Sequence, residues 1–146
     1  MQQKYKNSLG IAGWIRGGRY GAERYVYTLH RVTGLGMLLY FVMHIFVTGS
    51  RLGGAEKWED WMNFFARNPL FAIGEFFVFL AFVFHAINGI RLILIELGLM
   101  IGKPGLPTYP YSNSALRQRR VMFCVMGLVA ILAVIAGADF VYLMLQ

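Results

Sequence analysis

The chain has 146 residues, of which 58% are hydrophobic and 16% aromatic but only 14% charged. Soluble domains carry about 45–50% apolar and about 25% charged residues, so a water-soluble globular fold is excluded. The net charge of +7 gathers at the ends of apolar stretches rather than on one soluble face, which points to membrane topology and lipid headgroups and away from nucleic acid.

Residues 1–25 hold Lys4, Lys6, Arg16, Arg19 and Arg24 against Glu23. This segment is too long and polar for a cleaved signal peptide, whose apolar run comes sooner, so the first span is expected to stay in the mature protein. That span, 26–49, carries His30 and Arg31 near its start and His44 near its end. Next, Trp58, Trp61, Phe64 and Phe65 recur at helical spacing among charges, predicting a short amphipathic helix over 55–67 lying in the membrane interface. A second span, 70–97, contains Glu75 and His85; a third, 121–145, contains Cys124 and Asp139. Each exceeds the about 20 residues needed to cross about 30 Å of hydrocarbon. Between them, KPGLPTYPYSNS with Pro104, Pro107 and Pro110 predicts an extended connector.

Lys and Arg mark cytoplasmic flanks. The N-terminal segment and the second loop, with Lys103, Arg117, Arg119 and Arg120, belong inside by this rule, whereas the first loop balances Arg51, Lys57 and Arg67 with Glu56, Glu59 and Asp60. The expected fold is all-α: one membrane-anchor domain over 1–146, a multi-pass three-transmembrane-helix subunit of a helical bundle, with its N-terminus cytoplasmic and a short outer interfacial helix.

Cys124 is the single cysteine and C-x-x-C-H is absent, which rules out an internal disulfide and covalent c-type haem attachment. An imidazole inside a bilayer is costly and marks function by default, and neutral imidazoles on transmembrane helices suit the axial positions of haem iron. By helical rise, His44 lies roughly 8 Å below the outer edge and His85 roughly 18–22 Å, a difference on the order of 10–15 Å. One haem cannot use both; two haems stacked across the membrane can. The second axial ligands must then come from a partner, because His30 sits at the inner edge of its span, roughly 20 Å from His44. Ala81 and Gly89, four residues either side of His85, leave its face uncrowded for a large flat group, although small residues also mark ordinary close helix packing. Around His44 the same positions are Tyr40 and Thr48. Glu75 and Asp139 lie toward the outer ends of their spans, where acids facing water are tolerated.

The string LHRVTG in the first span, together with FHAINGIRLILIELG in the second, resembles the cytochrome b subunit of succinate dehydrogenase and fumarate reductase. In that family S-x-x-H-R-x-[ST]-G opens the first of three helices and H-x-x-x-G-I-R carries a haem histidine in the second. The resemblance implies that His85 is an axial ligand of haem b, with Asn88, Gly89 and Arg91 in its motif, and that His30 and Arg31 lie near the haem propionates and the quinone. The motif serine is Tyr27 here, beside Thr28, so the quinone contact passes to another hydroxyl or is lost; the histidine common after G-I-R is Leu92. His44 resembles the two-haem members. The implied partners are a second membrane anchor subunit, an iron–sulfur subunit and a flavoprotein subunit in a prokaryotic inner membrane, with quinone as substrate and no catalytic residue of the chain's own. Two rivals stand beside this: a haem-free anchor or proton relay using Asp139 and Glu75, and a self-contained b-type cytochrome that completes its sites by dimerising.

Overall fold

In the computed structural model, the described residues are Gly10, 21–103, Leu106 and 118–145. The N-terminal basic residues up to Arg19, the three prolines of the connector and Arg117 lie outside them. Helix α1 is Ala22–Gly49, followed by a 3₁₀ turn Ser50–Gly53, then α2 (Ala55–Arg67), α3 (Pro69–Glu96) and α4 (Gln118–Met144). Of these, α1, α3 and α4 are long and apolar enough to cross a membrane. The polar backbone of a segment in hydrocarbon must satisfy its own hydrogen bonds, which a helix does. The first and third spanning helices begin four and three residues earlier than hydropathy places them, because helical hydrogen bonding continues into the polar first turns Ala22–Arg24 and Gln118–Arg120 after the apolar pattern has ended.

The amphipathic helix falls where its aromatic spacing puts it. Gly54 precedes it at φ 96°, a conformation that side chains with a Cβ rarely adopt. The chain then turns sharply into α3: the Asn68 side chain accepts the Leu70 N–H at 3.0 Å, and Pro69 occupies the first helical position. This is an N-cap followed by the residue whose missing donor costs nothing there. Trp61, Phe64, Phe65 and Phe71 form one aromatic cluster across this corner, with Phe65 and Phe71 centroids 4.7 Å apart. It fixes α2 against the start of α3.

Helix α3 packs against both α1 and α4. The three meet at the arginine-bearing end, where Val26, Phe84 and Met122 are buried together with Ala22, Met126 and Val129 packed around them. At the end nearer α2, Phe76 stacks on Phe140 at 4.7 Å and lies against Gly137. Most other large apolar side chains, among them Leu35, Leu39, Phe46, Ile131 and Val134, are exposed, as befits a surface whose solvent is lipid or neighbouring helices. The Glu23–Arg119 ion pair at 3.0 Å ties α1 to α4 at the surface. Half-exposed, it contributes at most about 1 kcal/mol.

Candidate functional site

The packing of α1 on α3 brings His30 and His85 into contact. Their imidazole rings stack at 3.9 Å between centroids, 9° from parallel, and Phe84 meets the His30 ring edge-on at 6.3 Å. Sequence reasoning puts His30 at the rim of its span and leaves it unconnected to His85. The helices instead run antiparallel in a register that sets the two at one level. Rings in face-to-face contact cannot sandwich a macrocycle, so His30 and His85 are not the two axial ligands of one iron.

The nitrogens of His85 are distinguished by their surroundings. Nδ1 lies 3.0 Å from the His30 backbone carbonyl and 3.3 Å from the Thr33 hydroxyl. Thr33 directs its own proton to the carbonyls of Leu29 and His30, at 2.8 and 3.0 Å. A carbonyl only accepts, so Nδ1 carries the ring proton and Nε2 keeps its lone pair. This is the arrangement in which a metal-ligating histidine is held by its other nitrogen. Among the described residues no three His, Cys, Asp or Glu side chains cluster.

Two glycines shape the pair, in ways the sequence motifs do not separate. A Cβ at Gly34 would stand 2.8 Å from His85 Cε1 and 3.4 Å from Nδ1. Gly34 is therefore what admits the His85 ring against α1. A Cβ at Gly89 would stand 3.7 Å from His30 Cε1, so the space expected to be open beside His85 is taken up by His30. Sequence reasoning misses Thr33 and Gly34 as partners of His85. Both stand in LHRVTG, but only the pairing of α1 with α3 assigns them to a residue 51 or 52 positions away.

The remaining predicted residues divide between the two ends. Arg31 donates to the Tyr27 hydroxyl at 2.9 Å, and its guanidinium lies 5.5 Å from that ring's centroid; both side chains are exposed, one turn apart on the outside of α1. Thr28, adjacent, is half-buried. His44 is exposed near the far end of α1, stacked on Tyr40 at 5.6 Å, and its backbone carbonyl accepts from the Thr48 hydroxyl.

A family model for the succinate dehydrogenase/fumarate reductase transmembrane subunit matches residues 15–136, a stretch that takes in all four helices except the last residues of α4. The chain belongs to this family. It is also 27% identical over 99 residues, 68% of its length and 75% of the relative's, to the succinate dehydrogenase hydrophobic membrane anchor subunit of Halobacterium salinarum. An anchor subunit of this family associates with other succinate dehydrogenase subunits.

In this anchor subunit the motif residues Asn88 and Arg91 point into the bundle. Asn88 is 1% exposed and Arg91 8%. Arg91 Nε donates to Asn88 Oδ1 at 3.0 Å, and Nη1 reaches Gln118 Oε1 on α4 at 3.5 Å. The arginine that the motif suggests as a cofactor contact thus ties α3 to α4 beneath the histidine pair. Gln118 carries no signal in the sequence. Removing the amide leaves a buried guanidinium without its best acceptor, and bonds to charged groups contribute about 1.5–3 kcal/mol. Asn88→Leu is expected to destabilise the purified anchor by about that amount, read as a lower thermal midpoint. Asn88→Asp, which keeps the acceptor and removes the buried, unpartnered Nδ2, is expected to hold the midpoint.

Proposed function

We propose that this chain is the haem b-binding membrane anchor of a succinate:quinone oxidoreductase, passing electrons from an iron–sulfur subunit to membrane quinone. The observation that carries the haem assignment is the His85 Nδ1 contact with the His30 carbonyl, which leaves Nε2 as a ligand nitrogen inside a membrane helix. A b-type haem, when bound, supplies a one-electron redox centre within the bilayer. His85 would hold its iron; His30, stacked on His85, keeps that ring from turning and stands where a propionate contact is implied. A partner membrane subunit would supply any further ligand.

The Arg31–Tyr27 pair supports quinone binding on the exposed face of α1. Because the guanidinium donates to the phenol oxygen, the phenol proton is available to a quinone carbonyl, which takes the place of the serine hydroxyl of the family motif. Arg31 adds a fixed positive charge that favours the more negative, reduced form of the headgroup. Electrostatics also orient the chain: the ends bearing Arg24, Arg31, Lys103, Arg119 and Arg120 belong on the cytoplasmic side of a prokaryotic inner membrane, where the iron–sulfur and flavoprotein subunits bind.

A pyridine haemochrome assay on the detergent-purified complex, with protein quantified, tests this reading. One or two haems b per complex are expected, and their absence overturns the haem assignment in favour of a bare anchor. In a two-haem complex His44→Ala removes one haem; in a one-haem complex it removes none and His44 is structural.

A further inference from the structure

Two groups of α1 face His85 Nδ1: the His30 carbonyl and the Thr33 hydroxyl. His85 lies well inside α3, where hydrocarbon offers no water and polar groups are satisfied from within the protein. In α1 the carbonyls of Leu29 and His30 each accept the N–H four residues on. A carbonyl oxygen has two lone pairs, so each can take one further proton. At His30 that is the proton on His85 Nδ1, 3.0 Å away. The Thr33 hydroxyl proton, which reaches Leu29 at 2.8 Å and His30 at 3.0 Å, therefore goes to Leu29. The Thr33 oxygen keeps both of its lone pairs, and it stands 3.3 Å from His85 Nδ1.

We propose that Thr33 is a positioning residue for the haem ligand: with its proton committed to Leu29, its oxygen is a second acceptor for His85 Nδ1–H and fixes the tautomer and azimuth of the ring. A hydroxyl with its proton free can instead donate to Nδ1, which moves the ring proton to Nε2 and closes the ligand nitrogen. The bond back to Leu29 removes that alternative. Two acceptors three residues apart on α1 hold the Nδ1 proton between them, so the ring cannot turn without losing one. Gly34, next in the chain, leaves the room in which the ring sits. An acceptor on the far nitrogen raises the basicity of the ligand nitrogen, and a more basic ligand favours ferric over ferrous iron. Thr33 would thus lower the reduction potential of the haem that His85 holds. That consequence rests on the haem assignment; the hold of Thr33 on His85 does not.

The test uses the whole complex, purified in mild detergent. Thr33→Val keeps the outline of the side chain and removes the hydroxyl, whereas Thr33→Ser keeps the hydroxyl. In a redox titration of the haem that is lost in His85→Ala, Thr33→Val is expected to bind haem and to shift its ferrous-to-ferric ratio about threefold toward ferrous, within the range of one neutral hydrogen bond. At 59 mV per tenfold for one electron, that is a rise of about 30 mV. Thr33→Ser is expected to titrate as the wild type does. The thermal midpoint supplies a readout that needs no haem: Thr33→Val should lower it at least about twice as far in the wild-type background as in His85→Ala, where the partner is gone. A wild-type potential in Thr33→Val, the same shift in Thr33→Ser, or equal lowering of the midpoint in both backgrounds each overturns the proposal. A colourless wild type that keeps the unequal lowering sinks the haem assignment and leaves Thr33 positioning His85, whereas equal lowering in a coloured complex removes Thr33 and leaves the haem.

Discussion

His85→Ala is expected to remove at least about nine-tenths of the haem b that this residue would hold, with the other subunits still recovered. Loss of groups that merely support a metal ligand already costs about 10–100-fold in affinity, and here the ligand itself is removed. No neighbour can replace it. His30 is nearest, but its ring lies flat against the position of the lost one at 3.9 Å, and its backbone carbonyl is what oriented His85. The pyridine haemochrome assay reads the result, and full haem retention in His85→Ala would exclude this residue as the ligand. If the complex holds two haems, one should survive His85→Ala, and it should be the one lost in His44→Ala.

Gly34→Val should impair the same site without touching a ligand. A single Cβ at position 34 already stands 2.8 Å from His85 Cε1, inside van der Waals contact, and valine adds two methyl groups fixed by a stiff χ1. Helix α1 cannot retreat freely, because Val26 is packed with Phe84 and Met122 eight residues below. The ring must therefore swing off the His30 carbonyl. Overpacking of this kind costs typically about 1–3 kcal/mol, which corresponds to a fall in haem affinity of about 5–150-fold where the cost falls on the bound geometry. The expected signature is low haem content with a shifted absorption spectrum in whatever haem remains. Gly36→Val, two positions on where a Cβ would meet nothing within 4 Å, is the matched control and should bind haem normally.

Hydrophobicity is a property of each segment, and a bilayer leaves an apolar segment of this length only one way to satisfy its backbone. The three spanning helices, the aromatic-faced helix over Ala55–Arg67 and the rarity of intramembrane histidines were therefore legible residue by residue. Contacts between helices are different in kind. The period of α1 states that His30, Thr33, Met37, Tyr40 and His44 share a stripe, and that of α3 does the same for Glu75, Val78, Phe82 and His85. Neither states how far one stripe slides along the other. In a membrane that register is decided by close packing rather than by burial from water. Gly34 opposite the His85 ring and Gly89 opposite His30 set it, and so stack two imidazoles that hydropathy places at different depths. The same packing turned Arg91, a motif residue, inward onto Asn88 and Gln118, a choice that depends on α4 and could not be read from α3 alone.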